Sequence, residues 1–170
     1  MTKQQKGVFY GLSIGIILSV AIIFVGSMCD FFHLSNVDNK LSIAFKALLA
    51  PGICLMVAIA RLAKHRFFSA EDINGSGLTQ GTQKAKVLQA LIQNTLEQLV
   101  IAFVAYSSWS IIMPSLTMST IFFAGIVFVI GRILFFTNYN KGAGARALGF
   151  TLTFYPSVIM IIVALIYLIV

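Results

Sequence analysis

Gln89, Gln93, Asn94, Glu97 and Gln98 stand at offsets 0, 4, 5, 8 and 9 in a stretch otherwise dominated by apolar residues. At 3.6 residues per turn this spacing predicts a polar stripe along one helix. Arg132 and Tyr139, seven apart, fall on one face of a later segment, and Arg146 stands at the start of the next. Ionisable groups inside apolar segments are costly to keep, so each is a candidate for ligand binding or catalysis. The competing reading is polar glue between helices, with Glu97 paired to Arg132 or Arg146.

The remaining reactive side chains group less well. Cys29, Asp30 and His33 are near neighbours, but they lie at the opposite end of an apolar run from His65, so no ligand set with two histidines forms. Cys29 and Cys54 are the only cysteines and define no disulfide framework. The stretch from Asn74 to Gly81 is rich in glycine but lacks the lysine-serine ending of a phosphate loop, and it is read as a connector.

The elements that must position these residues follow from composition. Of 170 residues, 59% are hydrophobic and 10% are charged. A soluble domain of this size cannot bury that much apolar surface, which excludes a soluble enzyme, and the same hydrophobicity excludes disorder. The expected class is an all-α integral membrane protein. A bilayer core of about 30 Å takes roughly 20 helical residues per crossing. Five runs meet that length: 7–28, 41–61, 87–112, 116–136 and 145–170. Connectors are expected at 29–40, 66–85 and 138–144, with a tight turn at Pro114. Pro51 and Pro156 fall inside spans, where neighbouring helices can satisfy the freed carbonyls.

Charge assigns the sides. With five crossings, Lys3, Lys6, Arg61, Lys64, Arg66, Lys84, Lys86, Arg132, Lys141 and Arg146 share one face, leaving Lys40 and Lys46 on the other. Counting the acids, the first face carries +7 and the second 0. The excess of basic residues predicts a cytoplasmic N-terminus and an outer C-terminus. The basic residues flank helix ends without a folded soluble module, so nucleic acid is not an expected partner. The first run is expected to be a retained helix rather than a cleaved signal. It is long for a signal, and Gly7, Gly11, Gly15 and Ser19 form a ladder suited to close helix packing.

Two segments carry a family resemblance. Gln93-Asn-Thr-Leu-Glu-Gln98 resembles the Asn-x-x-Glu signature of the MAPEG family, membrane-associated proteins in eicosanoid and glutathione metabolism. Arg132 to Arg146, with Tyr139 between them, resembles that family's next signature, and Ala145 to Phe150 continues it. Ala60-Arg61 is similar to the basic end of the family's first helix. The resemblance covers about residues 41–170, so the chain divides into an N-terminal transmembrane helix and outer loop, 1–40, and a MAPEG-like four-helix bundle, 41–170. It implies a bacterial-type member in the inner membrane, forming a homotrimer with glutathione between neighbouring subunits at the cytoplasmic end. By position, Asn94 and Glu97 would hold the tripeptide, Tyr139 would contact it, and Arg146 would activate its thiol. Arg61 and Arg132 would be supporting cations. The implied activity is a glutathione transferase or peroxidase on lipophilic small molecules arriving from the membrane lipids.

The chemistry of that set is coherent. Glutathione's carboxylates need cations and amide donors, and its ammonium needs a carboxylate such as Glu97. Its thiol becomes nucleophilic when a nearby guanidinium favours the thiolate. This chain departs from the pattern at Ala90, where glutathione-using members have arginine, and at Gln98 and Phe135, where the leukotriene-synthase branch has tyrosines. Those departures motivate an alternative: a non-catalytic trimeric membrane protein binding a lipid-like ligand or a partner.

Overall fold

The computed structural model describes residues 1–170 and contains five long helices: α1 (Lys3–Met28), α2 (Lys40–Phe67), α3 (Gln83–Ile112), α4 (Ser119–Asn138) and α5 (Ala143–Ile169). All five are long and apolar enough to cross a membrane. The number and order of crossings agree with the sequence reading. Several helices run a turn or so past the apolar runs, because polar caps extend them. Thr2 and Gln5 form a reciprocal capping box on α1. Thr82 accepts from the Ala85 amide at 3.2 Å to start α3. Lys64 and Arg66 occupy the last turn of α2, where cations meet the negative end of the helix dipole.

The main core lies toward the end where α2 begins. Trp109, Met118, Ile121 and Met160 are wholly buried there, with Tyr106 and Phe128 beside them. Trp109 Nε1 donates to the Thr117 carbonyl and hydroxyl at 3.2 and 3.1 Å, tying α3 to the Pro114 turn. A smaller cluster of Leu62, Ala85, Leu88, Leu91 and Phe135 closes the opposite end. That opposite end gathers the start of α1, the end of α2, the start of α3, the end of α4 and the start of α5, and with them most of the basic residues. We call it the basic end.

Helix α1 packs along α5 with its small-residue ladder inward: Gly11, Gly15, Ser19 and Ile23 are all buried. The approach is at backbone distance. A Cβ on Gly11 would lie 2.7 Å from Ala147 Cβ and 2.9 Å from the Leu148 nitrogen, so only glycine fits. The Thr151 hydroxyl donates across the seam to the Gly11 carbonyl at 3.2 Å. Between α4 and α5, Gly131 plays the same part: its added Cβ would meet the Gly149 carbonyl at 2.9 Å. Gly142, with φ of 97°, makes the turn that lets α5 fold back from α4.

Candidate functional site

Arg132 is the centre of the polar interior. It is 1% exposed and donates from one guanidinium nitrogen to Asn94 Oδ1 at 2.8 Å and from another to Thr153 Oγ1 at 2.6 Å. The group is flanked by the rings of Phe135 and Phe128, 4.6 and 5.7 Å from the guanidinium carbon. Helices α3 and α4 pack little against each other directly, so this one side chain links α3, α4 and α5. It also orients its neighbour. A guanidinium only donates, so it takes the oxygen of the Asn94 amide and leaves Asn94 Nδ2 free to donate elsewhere.

Asn94 lines a cavity of about 390 Å³ between α3, α4, α5 and α1. Tyr139 and Arg146 line the same cavity, with the Arg146 guanidinium 4.2 Å over the Tyr139 ring. Ala90, Phe135 and Phe150 supply apolar wall, and Val8 and Leu12 bring α1 into it. The cavity is therefore mostly apolar, with one cation, one amide and one phenol converging at the basic end. Such a composition suits a ligand with an apolar body and a polar head.

Two sequence expectations fail here. Glu97 pairs with neither Arg132 nor Arg146: it is exposed, and its Oε1 accepts from Gln93 Nε2 at 2.9 Å. The five polar residues of α3 also do not share one face. At about 100° per residue they span roughly half the helix circumference. Gln89, Gln93 and Glu97 are exposed, Gln98 is buried, and Asn94 stands between them. In a single chain Arg61 lies outside this cavity, exposed, its guanidinium carbon 5.5 Å from the centre of the Phe136 ring. Within one chain the structure thus brings together Asn94, Tyr139 and Arg146, with Arg132 behind them, and leaves Glu97 and Arg61 on outer surfaces.

Three contributors were not foreseen. Thr153 lies seven residues after Arg146, two helical turns along the same face of α5, a spacing that could have flagged it. Val8 and Leu12 carry no polar signal and become visible only once α1 is placed. The third is the knot at Asp72 that holds the expected connector between α2 and α3. This carboxylate is buried and accepts from the Thr82 amide at 2.8 Å, the Thr82 hydroxyl at 2.6 Å and the Ser69 hydroxyl at 3.2 Å. His65 Nε2 lies 2.8 Å from its second oxygen. The Thr82 bonds above all, with those of His65 and Ser69, hold the Asp72 carboxyl down at about 2.

Together the five crossings and this arrangement define a multi-pass, all-α integral membrane protein with a cavity at its basic end. The MAPEG family model matches residues 41–166. The chain belongs to the MAPEG family; α1, whose Val8 and Leu12 line the cavity, lies before the matched region. No curated protein and no solved structure matches the chain.

Proposed function

We propose that the protein is a glutathione-dependent transferase or peroxidase acting on lipophilic electrophiles, working as a homotrimer with its basic end in the cytoplasm of a bacterial cell. The observation that carries this reading is the convergence of Asn94, Tyr139 and Arg146 on one cavity at the basic end. The donor set fits the tripeptide: Arg146 supplies a cation, Tyr139 a hydroxyl, and Asn94 an amide N–H fixed by Arg132. Glu97, the group suited to the tripeptide's ammonium, is exposed on α3 beside Leu96, Val100 and Phe103, side chains that face lipid in a lone subunit. A carboxylate in that setting is costly, which supports a neighbouring subunit covering it and completing the site.

In this reading the sulfhydryl proton passes to water, and Arg146 stabilises the thiolate. The sulfur electron pair forms the new S–C bond, and the displaced group leaves with its own pair. With a hydroperoxide, the thiolate takes one oxygen, the alcohol departs, and a second glutathione releases water and forms the disulfide. Arg132 is a positioning residue that acts through Asn94. The basic excess at this end supports the cytoplasmic orientation.

The test is a thermal-shift titration of the purified protein with glutathione, paired with conjugation assays on Arg146→Ala. Stabilisation by glutathione is expected, because a ligand that binds only the folded form must raise its stability. The variant is expected to lose on the order of 100-fold in rate, the cost of removing one group that stabilises developing negative charge. No stabilisation, together with unchanged activity in the variant, overturns the reading.

A second reading has its own observation. Ala90 and Phe135 leave the cavity wall apolar at positions where a tripeptide would want polar groups. This supports a non-catalytic trimer holding a lipid-like ligand. It predicts that Glu97→Gln reduces trimer yield in crosslinking while glutathione leaves thermal stability unchanged.

A further inference from the structure

A second cavity, of about 360 Å³, opens between the α2–α3 connector and the first turns of α3. Arg66 and Lys86 enter it, with Ser76, Gln80, Gln89 and Gln93 as further polar lining. Its one acid, Asp72, has both oxygens engaged by Thr82, Ser69 and His65, so no free carboxylate faces the two cations. Arg66 is already aimed: one of its terminal nitrogens donates to Ser76 Oγ at 3.2 Å and to Gln89 Oε1 at 3.5 Å, and its other N–H groups have no acceptor among the hydrogen bonds of the fold. The connector comes close over it because Gly75, with φ of 79°, turns beside the guanidinium. A guanidinium and an ammonium in a cleft rimmed with amides and a hydroxyl suit a phosphate group.

The surroundings of the cleft indicate where that phosphate comes from. Phe67, Phe68, Ile73 and Leu78, on the end of α2 and on the connector, are each more than half exposed. The apolar run of α2 ends only a turn or two earlier, before Arg61. Large bare apolar side chains beside Lys64, Arg66, Lys84 and Lys86 are the composition of a segment lying in the membrane interface, where apolar groups enter the acyl boundary and cations meet headgroups. We infer that the Arg66–Lys86 cleft binds the phosphate of an anionic phospholipid headgroup. The cleft adjoins the Arg146 cavity, sharing Ala90 in its wall, but its two cations are not among that cavity's lining and do not depend on glutathione chemistry.

The test titrates phosphatidylglycerol or phosphatidylcholine into the full-length protein in neutral detergent and follows thermal stability. Phosphatidylglycerol is expected to raise the midpoint saturably, and phosphatidylcholine to leave it in place. At roughly 1 kcal/mol per interfacial cation, K86Q should weaken half-saturation about fivefold, and R66Q/K86Q about 25-fold. The Lys86 side chain makes no hydrogen bond or ion pair within the fold, so K86Q remains informative if the double variant is unstable. K3Q/K6Q removes two charges from the basic end outside the cleft and should leave half-saturation unchanged. An equal loss in K3Q/K6Q means diffuse attraction and overturns the inference. A saturable shift by inorganic phosphate that R66Q/K86Q abolishes assigns the cleft to a soluble anion and overturns the lipid source.

Discussion

At the end of the bundle where α2 begins, Asp30 accepts from the Leu34 and Ser35 amides at 2.7 and 3.1 Å, and Lys40 Nζ donates to the Met113 carbonyl at 2.9 Å. Each of these charges closes a short connection: Asp30 caps the turn after α1, and Lys40 holds the start of α2 to the turn after α3. At the basic end the cations are held differently. Arg146 rests on Tyr139, Arg61 on Phe136, and Arg66 on a serine and a glutamine. Aromatic faces and amides fix a cation in place while leaving it charged and able to attract an anion. The one carboxylate buried there, Asp72, is used to tie the connector. One end uses charge to shape itself, and the other keeps charge available for something else.

The contrast can be broken at several points. The largest effect is expected at Arg132, the one basic-end cation built fully into the fold. R132A leaves Asn94 and Thr153 without their donor and opens a void, and it should cost about 3 kcal/mol in detergent unfolding. Next is the Asp72 knot. Its folded pKa of about 2 lies below the usual 3.8, so its contribution is complete above about pH 3.8 and is lost as pH falls toward 2. Hydrogen exchange should therefore find residues 69–82 protected at neutral pH and opened in acid. D72N should show the opened pattern at neutral pH. A smaller change, about 1 kcal/mol, is expected for K40A, which removes one charged hydrogen bond at the opposite end. The smallest is R61A, under about 1 kcal/mol for an exposed cation over a ring. A loss in R61A as large as in R132A would erase the distinction between cations that build and cations that wait.

Much of this architecture is legible in the sequence, because lipid imposes simple rules. Runs of about 20 apolar residues gave the five crossings, and the sorting of Lys and Arg gave the basic end. The convergence of Asn94, Tyr139 and Arg146 followed because their helices start or finish at that same end. Other features depend on how the helices and turns pack, which composition and periodicity do not reveal. Helical period fixes the angle between Asn94 and Glu97 but not which of them faces the neighbouring helices. The Arg132–Thr153 bond depends on how α4 and α5 slide against each other, a register set by the contact of Gly131 with Gly149. The Asp72 knot arises from turn geometry, where His65, Ser69 and Thr82 meet around a residue that looks like an ordinary surface acid.

The seam between α1 and α5 also closes one flank of the Arg146 cavity. Backbone lies on backbone at Gly7 and Gly144, and Gly11 sits against Ala147, so along that seam the two helices are locked together, with Val8 and Leu12 turned to the cavity beside it. A small molecule diffusing in the bilayer cannot reach the Arg146 cavity from there without prising two helices apart. Its approach is left to the gap between α1 and α3, which do not pack on each other, or to the basic end itself. The helix outside the matched family region thus acts as a fixed wall, and it makes the route to the cavity one-sided.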